Sequence, residues 1–184
     1  MTAVERPPTE RARILGIDPG TVATGWGVVE MAGSALVHID HGTIASSPGL
    51  AQGMRLRRIH HGLQEVIARH GPLGASLEKV FFAQNAASAL KLGQARGVAL
   101  LAAAEHDIAL YEYASVEIKL AVVGYGHASK EQVQKMVASL LRLPGPIPAD
   151  AADALAAAIC HLHQQAFHVR IKESTPKRMQ AARR

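Results

Sequence analysis

Apolar residues in this chain fall first into short runs and then into longer, helix-like spacings. Ile14, Leu15 and Ile17 make a run that ends at Asp18, and Pro19-Gly20 breaks it before a second run from Thr24 to Met31. This pattern predicts a strand over 13–18, a tight turn and a second strand over 24–31. Gly33 and Ser34 precede a third strand over about 36–45, and short turns joining all three imply an antiparallel meander. After Pro48-Gly49 the period lengthens. Leu50, Met54, Leu56, Ile59, Leu63, Val66 and Ile67 recur at helical spacing, predicting a helix from Leu50 to His70 with Arg55, Arg57, Arg58 and Arg69 largely off the apolar face. A brief apolar segment, Ala75 to Leu77, then ends at Glu78 as a fourth strand. Strand, helix, strand requires a crossover, so the fourth strand should run parallel to the first and carry Glu78 toward Asp18.

The second half continues the alternation. A helix rich in alanine is predicted from about Asn85 to Glu105, with Gly93 and Gly97 four apart, a face that admits close backbone approach by the sheet or by another subunit. Ile108 to Tyr113 reads as a fifth strand, and Ser115 as the N-cap of a short helix. Val123-Gly124-Tyr125-Gly126-His127 is a flexible link. Ser129 with Gln132 begins, as a capping box, a helix running to about Arg142 whose exposed face carries Lys130 and Lys135. Pro144-Gly145-Pro146-Ile147-Pro148 should stop that helix and set the entry to the last one.

Length narrows the organisation: 184 residues suit one domain with a full core. Residues 1–12 read as a disordered leader, 13–166 as the folded domain and 167–184 as a basic, disordered tail. The single cysteine, Cys160, excludes an internal disulfide or a cysteine-rich zinc site and is expected to fill core volume. The longest apolar run, Val98 to Ala104, is far too short to span a bilayer, and the first residues carry mixed charge, so a cytoplasmic protein without membrane contact is expected. The net charge is +5, but six of the twenty Lys and Arg residues and one of the fifteen acids lie in 169–184, which leaves the body balanced. The basic excess therefore belongs to the tail, most simply a solvated end and secondarily a phosphate-binding arm.

Candidate chemistry is carried by acids. Asp18 sits at a strand tip, and Gly20 can take positive φ and reverse the chain beside it, leaving the carboxylate facing a cleft; the competing reading is that Asp18 only caps the turn. Asp150 and Asp153 are three apart among alanines at a helix start, where their mutual repulsion fits poorly with an ordinary solvated face. There the alternative is one N-cap and one exposed aspartate. Taken with Glu78, four carboxylates converge, and four buried acids cannot stay ionised unpaired. Hard oxygen donors suit Mg²⁺ or Mn²⁺ better than zinc. Two such ions, roughly 3.5–4 Å apart, would position a water and stabilise the leaving oxygen in phosphodiester hydrolysis. His60, His61 and His70 have no metal-like neighbour and are expected at or near the surface. His161 lies two turns beyond Asp153 and could approach the acid face, although burial elsewhere is the simpler expectation. Phe81 or Phe82 could stack on a base or pack in the core.

The segments GIDPGTVATGWGVVE, LEKVFFAQNAASALKLGQARG, VGYGHASKEQVQKMV and ADAADALAAAICHLH together resemble the RuvC family of bacterial Holliday-junction resolvases from about Arg13 to His163. The resemblance implies an α/β, RNase H-like fold: a five-stranded mixed sheet, strands 1–3 antiparallel and strands 1, 4 and 5 parallel, flanked by helices. It also implies a homodimeric, metal-dependent endonuclease that introduces paired nicks in four-way junction DNA, working beside the RuvA-RuvB branch-migration helicase complex. By position it makes Asp18, Glu78, Asp150 and Asp153 the catalytic, metal-holding acids, Phe81 an aromatic beside the DNA, and Lys119 and Lys130 DNA-binding residues. The helix holding Gly93, Arg96 and Gly97 becomes the dimer-forming helix. Two rival readings are a non-catalytic junction-binding module, which has no need of four acids, and an actin-like or sugar-kinase-type ATPase, which would need a second Asp-x-Gly loop that this chain lacks.

Overall fold

The computed structural model describes residues 12–47, 49–79 and 86–174, with side chains to 167. Five strands, β1 (Ala12–Asp18), β2 (Ala23–Ala32), β3 (Ala35–Ala45), β4 (Gly74–Glu78) and β5 (Ala109–Tyr113), form one sheet in the order β3-β2-β1-β4-β5. β1 pairs antiparallel with β2 and β2 with β3, while β4 lies parallel to both β1 and β5. The meander and the crossover thus follow the pattern of apolar runs and turn residues. The helices of the described residues are α1 (Gln52–His70), α2 (Ala86–Ala104), α3 (Ser115–Val123), α4 (Lys130–Leu140) and α5 (Ala149–Ser174).

Strict alternation along the strands builds a core on each face of the sheet. Leu15, Ile17, Trp26 and Val28 pack with Ile59, Leu63, Val66 and Ile67 of α1 and with Ala95, Ala99 and Ala102 of α2. Ile14 and Val29 point the other way, into a core shared by α3, α4 and α5 that includes Ile118, Val137, Leu155, Ile159 and Cys160. The fully buried Cys160 fills volume, as expected.

Several local details differ from the sequence expectation. Gly20 is not among the glycines at positive φ, which are Gly33, Gly71 and Gly124; it is needed because a Cβ there would overlap the Ala23 carbonyl oxygen. Ser115 is the first helical residue of α3 and not its cap. Ala114 holds that position, and its N–H donates to the Glu117 carboxylate at 2.7 Å, so the acid of the first turn supplies the capping bond. α4 does open on the Ser129–Gln132 capping box, with Ser129 N–H donating to Gln132 Oε1 at 2.7 Å and Gln132 N–H to Ser129 Oγ at 3.3 Å. It ends at Leu140, before the proline segment, because Arg142 turns left-handed (φ 52°) and Leu143 N–H bonds back to the Ala138 carbonyl at 2.9 Å. At the other end of the chain α5 continues past Ala166 to Ser174, so the first residues assigned to the basic tail extend a helix. Among the described residues no helix is long and apolar enough to cross a membrane.

Candidate active site

Asp18 is the last residue of β1, and Glu78 the last of β4. Register places them side by side, since Ile17 is the partner of Leu77 on the neighbouring parallel strand. Alternation also sets their direction. Leu15, Ile17 and Ala75 face α1 and α2, so Asp18 and Glu78, one step out of phase with these, face α5.

Close seating of α5 brings the other two acids to that point. A Cβ on Gly16 would overlap the carbonyl oxygen of Ala154, and a Cβ on Gly25 that of Asp150. Bare backbone on β1 and β2 therefore lets the first turns of α5 lie directly on the sheet, faced by the buried Ala151, Ala154 and Ala158. Asp150 stands inside the first turn of the helix, and Asp153 follows one turn on. The signal for this contact was present in the sequence as glycines spaced along two strands opposite an alanine-rich helix, yet it is not readable until the pairing of helix and sheet is known.

The electrostatics record the convergence. Asp18 is pushed up to about 7 from 3.8, first by burial, then by the charges of Asp153 and Asp150, with a smaller push from Glu78; Lys130 pulls the other way. The turn itself does not need Asp18 as a cap. Thr24 Oγ1 donates to the Gly20 carbonyl at 2.8 Å and accepts the Gly20 N–H at 3.3 Å. The Asp18 carboxylate is thereby left to the cleft. Lys130 reaches from the start of α4 to Asp153, Nζ to Oδ2 at 2.6 Å, and this bond raises the lysine's pKa. Spacing alone had placed Lys130 merely on an exposed face; its side chain is indeed 55% exposed, but its tip belongs to the acid cluster. Lys119 is half-buried on α3. Phe81 and Phe82 lie outside the described residues.

Among the described residues no histidine is one of the charges that shift Asp18. His161 is 6% exposed and turns from the acids to β5, where its Nδ1 shares a hydrogen bond with Tyr113 Oη at 2.7 Å and its ring lies 4.1 Å from that of Tyr111. Burial lowers its pKa to about 4. His163 Nδ1 bonds the Ala121 carbonyl at 2.9 Å. His60 pairs with Glu105 at 2.7 Å and His70 with Asp40 at 3.2 Å, both on the side of the sheet covered by α1.

The residues fit a divalent cation in charge and donor type. Carboxylate oxygens are hard ligands, and a carboxyl held near 7 by burial and by neighbouring acids gains from any added positive charge. Among the described residues no three acids, histidines or cysteines are drawn into a ready coordination shell. The four carboxylates share a field, and the Lys130 ammonium is the cation that offsets part of it.

Among the solved structures similar to this chain are junction resolvases. Thermus thermophilus RuvC, solved in complex with a Holliday junction substrate, superposes with a TM-score of 0.81 at 35% identity, over 85% of this chain and 96% of that one. The yeast mitochondrial Holliday junction resolvase Ydc2, at 12% identity and a TM-score of 0.64 over 89% of this chain and 82% of that one, shares the fold. Fold and acid cluster together define a metal-dependent nuclease of the RNase H-like class. The family model described as crossover junction endodeoxyribonuclease RuvC matches residues 14–161. The relative from Geobacter metallireducens is 54% identical over 149 residues, 81% of this chain and 91% of its own length; that from Syntrophotalea carbinolica is 52% identical over 157 residues, 85% and 96%. The chain belongs to the RuvC family of crossover junction endodeoxyribonucleases.

Proposed function

We infer that this protein resolves four-way DNA junctions in recombination and repair, cutting two strands by hydrolysis at sites formed by Asp18, Glu78, Asp150 and Asp153. The observation that carries the reading is the seating of the first turns of α5 against the strand end that bears Asp18, whose pKa is raised to about 7 first by burial and then by the charges of Asp153 and Asp150, with a smaller push from Glu78. Carboxylates crowded this way have no use in a module that only binds DNA, since they repel its phosphates. They suit a site that gathers cations.

The four acids would hold Mg²⁺ or Mn²⁺, two ions to a site. Bound there, the ions supply an activated water and neutralise charge on the scissile phosphate and leaving oxygen. The remaining work is that of the protein's own side chains. Lys130, held protonated by Asp153, offers N–H donors to a phosphate oxygen and does not act as a base. Lys119, on the helix preceding the α4 loop, is a second phosphate contact, and Phe81, following β4, stacks on a base near the cut. Because phosphate contacts dominate affinity, binding should weaken steeply with salt.

Paired nicks need two sites related as the junction strands are, which an isologous dimer provides. α2 supports this arrangement. Its sheet-side residues Ala95, Ala99, Ala102 and Ala103 are buried, whereas Leu90, Leu100 and Leu101 are 65%, 41% and 51% exposed and a Cβ at Gly93 or Gly97 would meet nothing. Those glycines therefore do not serve packing on this chain's own sheet. They lie in an apolar stripe that a second copy would cover. Such a dimer, acting in the cytoplasm beside the RuvA-RuvB branch-migration complex, is the assembly proposed.

The test is cleavage of a synthetic four-way junction with and without Mg²⁺. Wild type should nick symmetrically only with the ion, and Asp18→Asn should bind the junction with nearly unchanged affinity while losing cleavage by a factor of 10³ or more, an order-of-magnitude expectation for loss of a metal-holding acid. Loss of binding and cleavage together at moderate salt would contradict the role given to Asp18.

A further inference from the structure

We propose that Arg96 is a positioning residue of the nuclease site, fixing the acid-bearing end of β4 from the face of the sheet opposite the acids. The proposal rests on the site assignment above. Glu78 ends its strand, and its neighbours hold that end on two sides. From one edge β5 does so, with Tyr113 as its register partner and Lys79 N–H donating to the Tyr113 carbonyl at 2.8 Å. From below, Arg96 Nη1 donates to the Glu78 carbonyl at 2.9 Å, and its Nη2 pairs with the carboxylate of Glu112 on β5. One planar guanidinium thus ties the ends of two neighbouring strands to α2.

Direction makes this a matter of function. The side chain of Glu78 faces α5 and the other acids, while its carbonyl is gripped on the α2 side, so the peptide plane that aims the carboxylate is held without crowding the cleft. The Arg96 side chain is 17% exposed, and its two bonds diverge to a carbonyl and a carboxylate. A lysine ammonium on a flexible stem can satisfy one of these with good geometry but lacks the rigid fork for both. Arg96 also sits on the helix that carries Gly93 and Gly97, at the border between its sheet side and that stripe, so a partner seated on the stripe would bear on the same helix that steadies Glu78.

The experiment compares wild type with Arg96→Met and Arg96→Lys in three measurements: single-turnover cleavage of a junction at saturating enzyme, junction affinity without divalent ion, and the rise in unfolding temperature on titration with Mg²⁺. Arg96→Met should cut on the order of tenfold more slowly, within what a misplacement of about 1 Å costs, with junction affinity unchanged. The Mg²⁺ midpoint should move upward in both the cleavage and the thermal titration, and Arg96→Lys should recover part of each. Folded variants whose Mg²⁺ midpoints and single-turnover rates match wild type would overturn the proposal, as would a loss that merely tracks the folded fraction. Should wild type itself neither nick nor respond to Mg²⁺, the nuclease reading falls and takes this proposal with it; a working wild type with indifferent variants sinks the role of Arg96 alone.

Discussion

His161 shows how a side chain two helical turns from the acids acquires a different task. Its pKa of about 4 lies below the unfolded value of 6.5, so between those pH values the unfolded chain binds a proton that the folded chain refuses. The contribution of His161 to stability should therefore fall as pH drops from 6.5 toward 4, by up to about 3 kcal/mol at 1.36 kcal/mol per pH unit, while Asp18, whose raised pKa lets the folded chain bind a proton first, contributes with the opposite sign over the same range. Urea melts of wild type and His161→Gln across that range check the size, since the stability difference between the two should change by that amount; a difference that stays constant with pH would place the titration elsewhere. At this scale the sequence spoke unevenly. Asp18, Glu78, Asp150 and Asp153 were legible because strand tips and a three-residue helical spacing fix where they point. The partner of Lys130 was not, since only tertiary packing brings the start of α4 to Asp153, and neither was the Tyr113 bond that draws His161 to β5.

Elements were more legible than their ends. Period-2 and period-3.6 patterns and glycine turns located all ten, because burying one face demands that pattern whatever the neighbours. Boundaries at α3 and α4 were decided by finer events, the Glu117 carboxylate reaching back to Ala114 and the left-handed Arg142, which hydrophobic spacing does not encode. The sharpest consequence at this scale concerns the contact of α5 with the sheet. Gly16→Ala should destabilise the protein by about 3 kcal/mol, at the upper end of overpacking costs because backbone and not a flexible side chain stands in the way. It should also reduce cleavage in whatever fraction folds, by shifting Asp150 and Asp153 relative to Asp18. A melting temperature within a degree or two of wild type would show that the helix can lift without penalty.

For the whole molecule, the exposed stripe on α2 sets the expected assembly. Leu90 and Leu100 contribute little to the fold of one copy, so Leu90→Glu with Leu100→Glu should leave a folded monomer while lowering the sedimentation coefficient and abolishing paired nicking. A double variant that still sediments as a dimer would send the search for the interface to another face. Two glycines four apart are equally compatible with packing inward; among the described residues nothing lies within 4 Å of a Cβ at either, which supports the outward reading.

The intimate seating of α5 on β1 and β2 carries an evolutionary corollary. Where Gly16 and Gly25 meet the backbone of the helix no side chain stands between rod and platform to trim or enlarge, so the gap between cation-gathering groups can be retuned only when both layers alter in concert, since a methyl gained on one side has nowhere to go unless the other withdraws. Drift at Gly16, Gly25 and the alanines above them is accordingly confined to matched exchanges, and the spacing on which the chemistry depends is inherited as a unit.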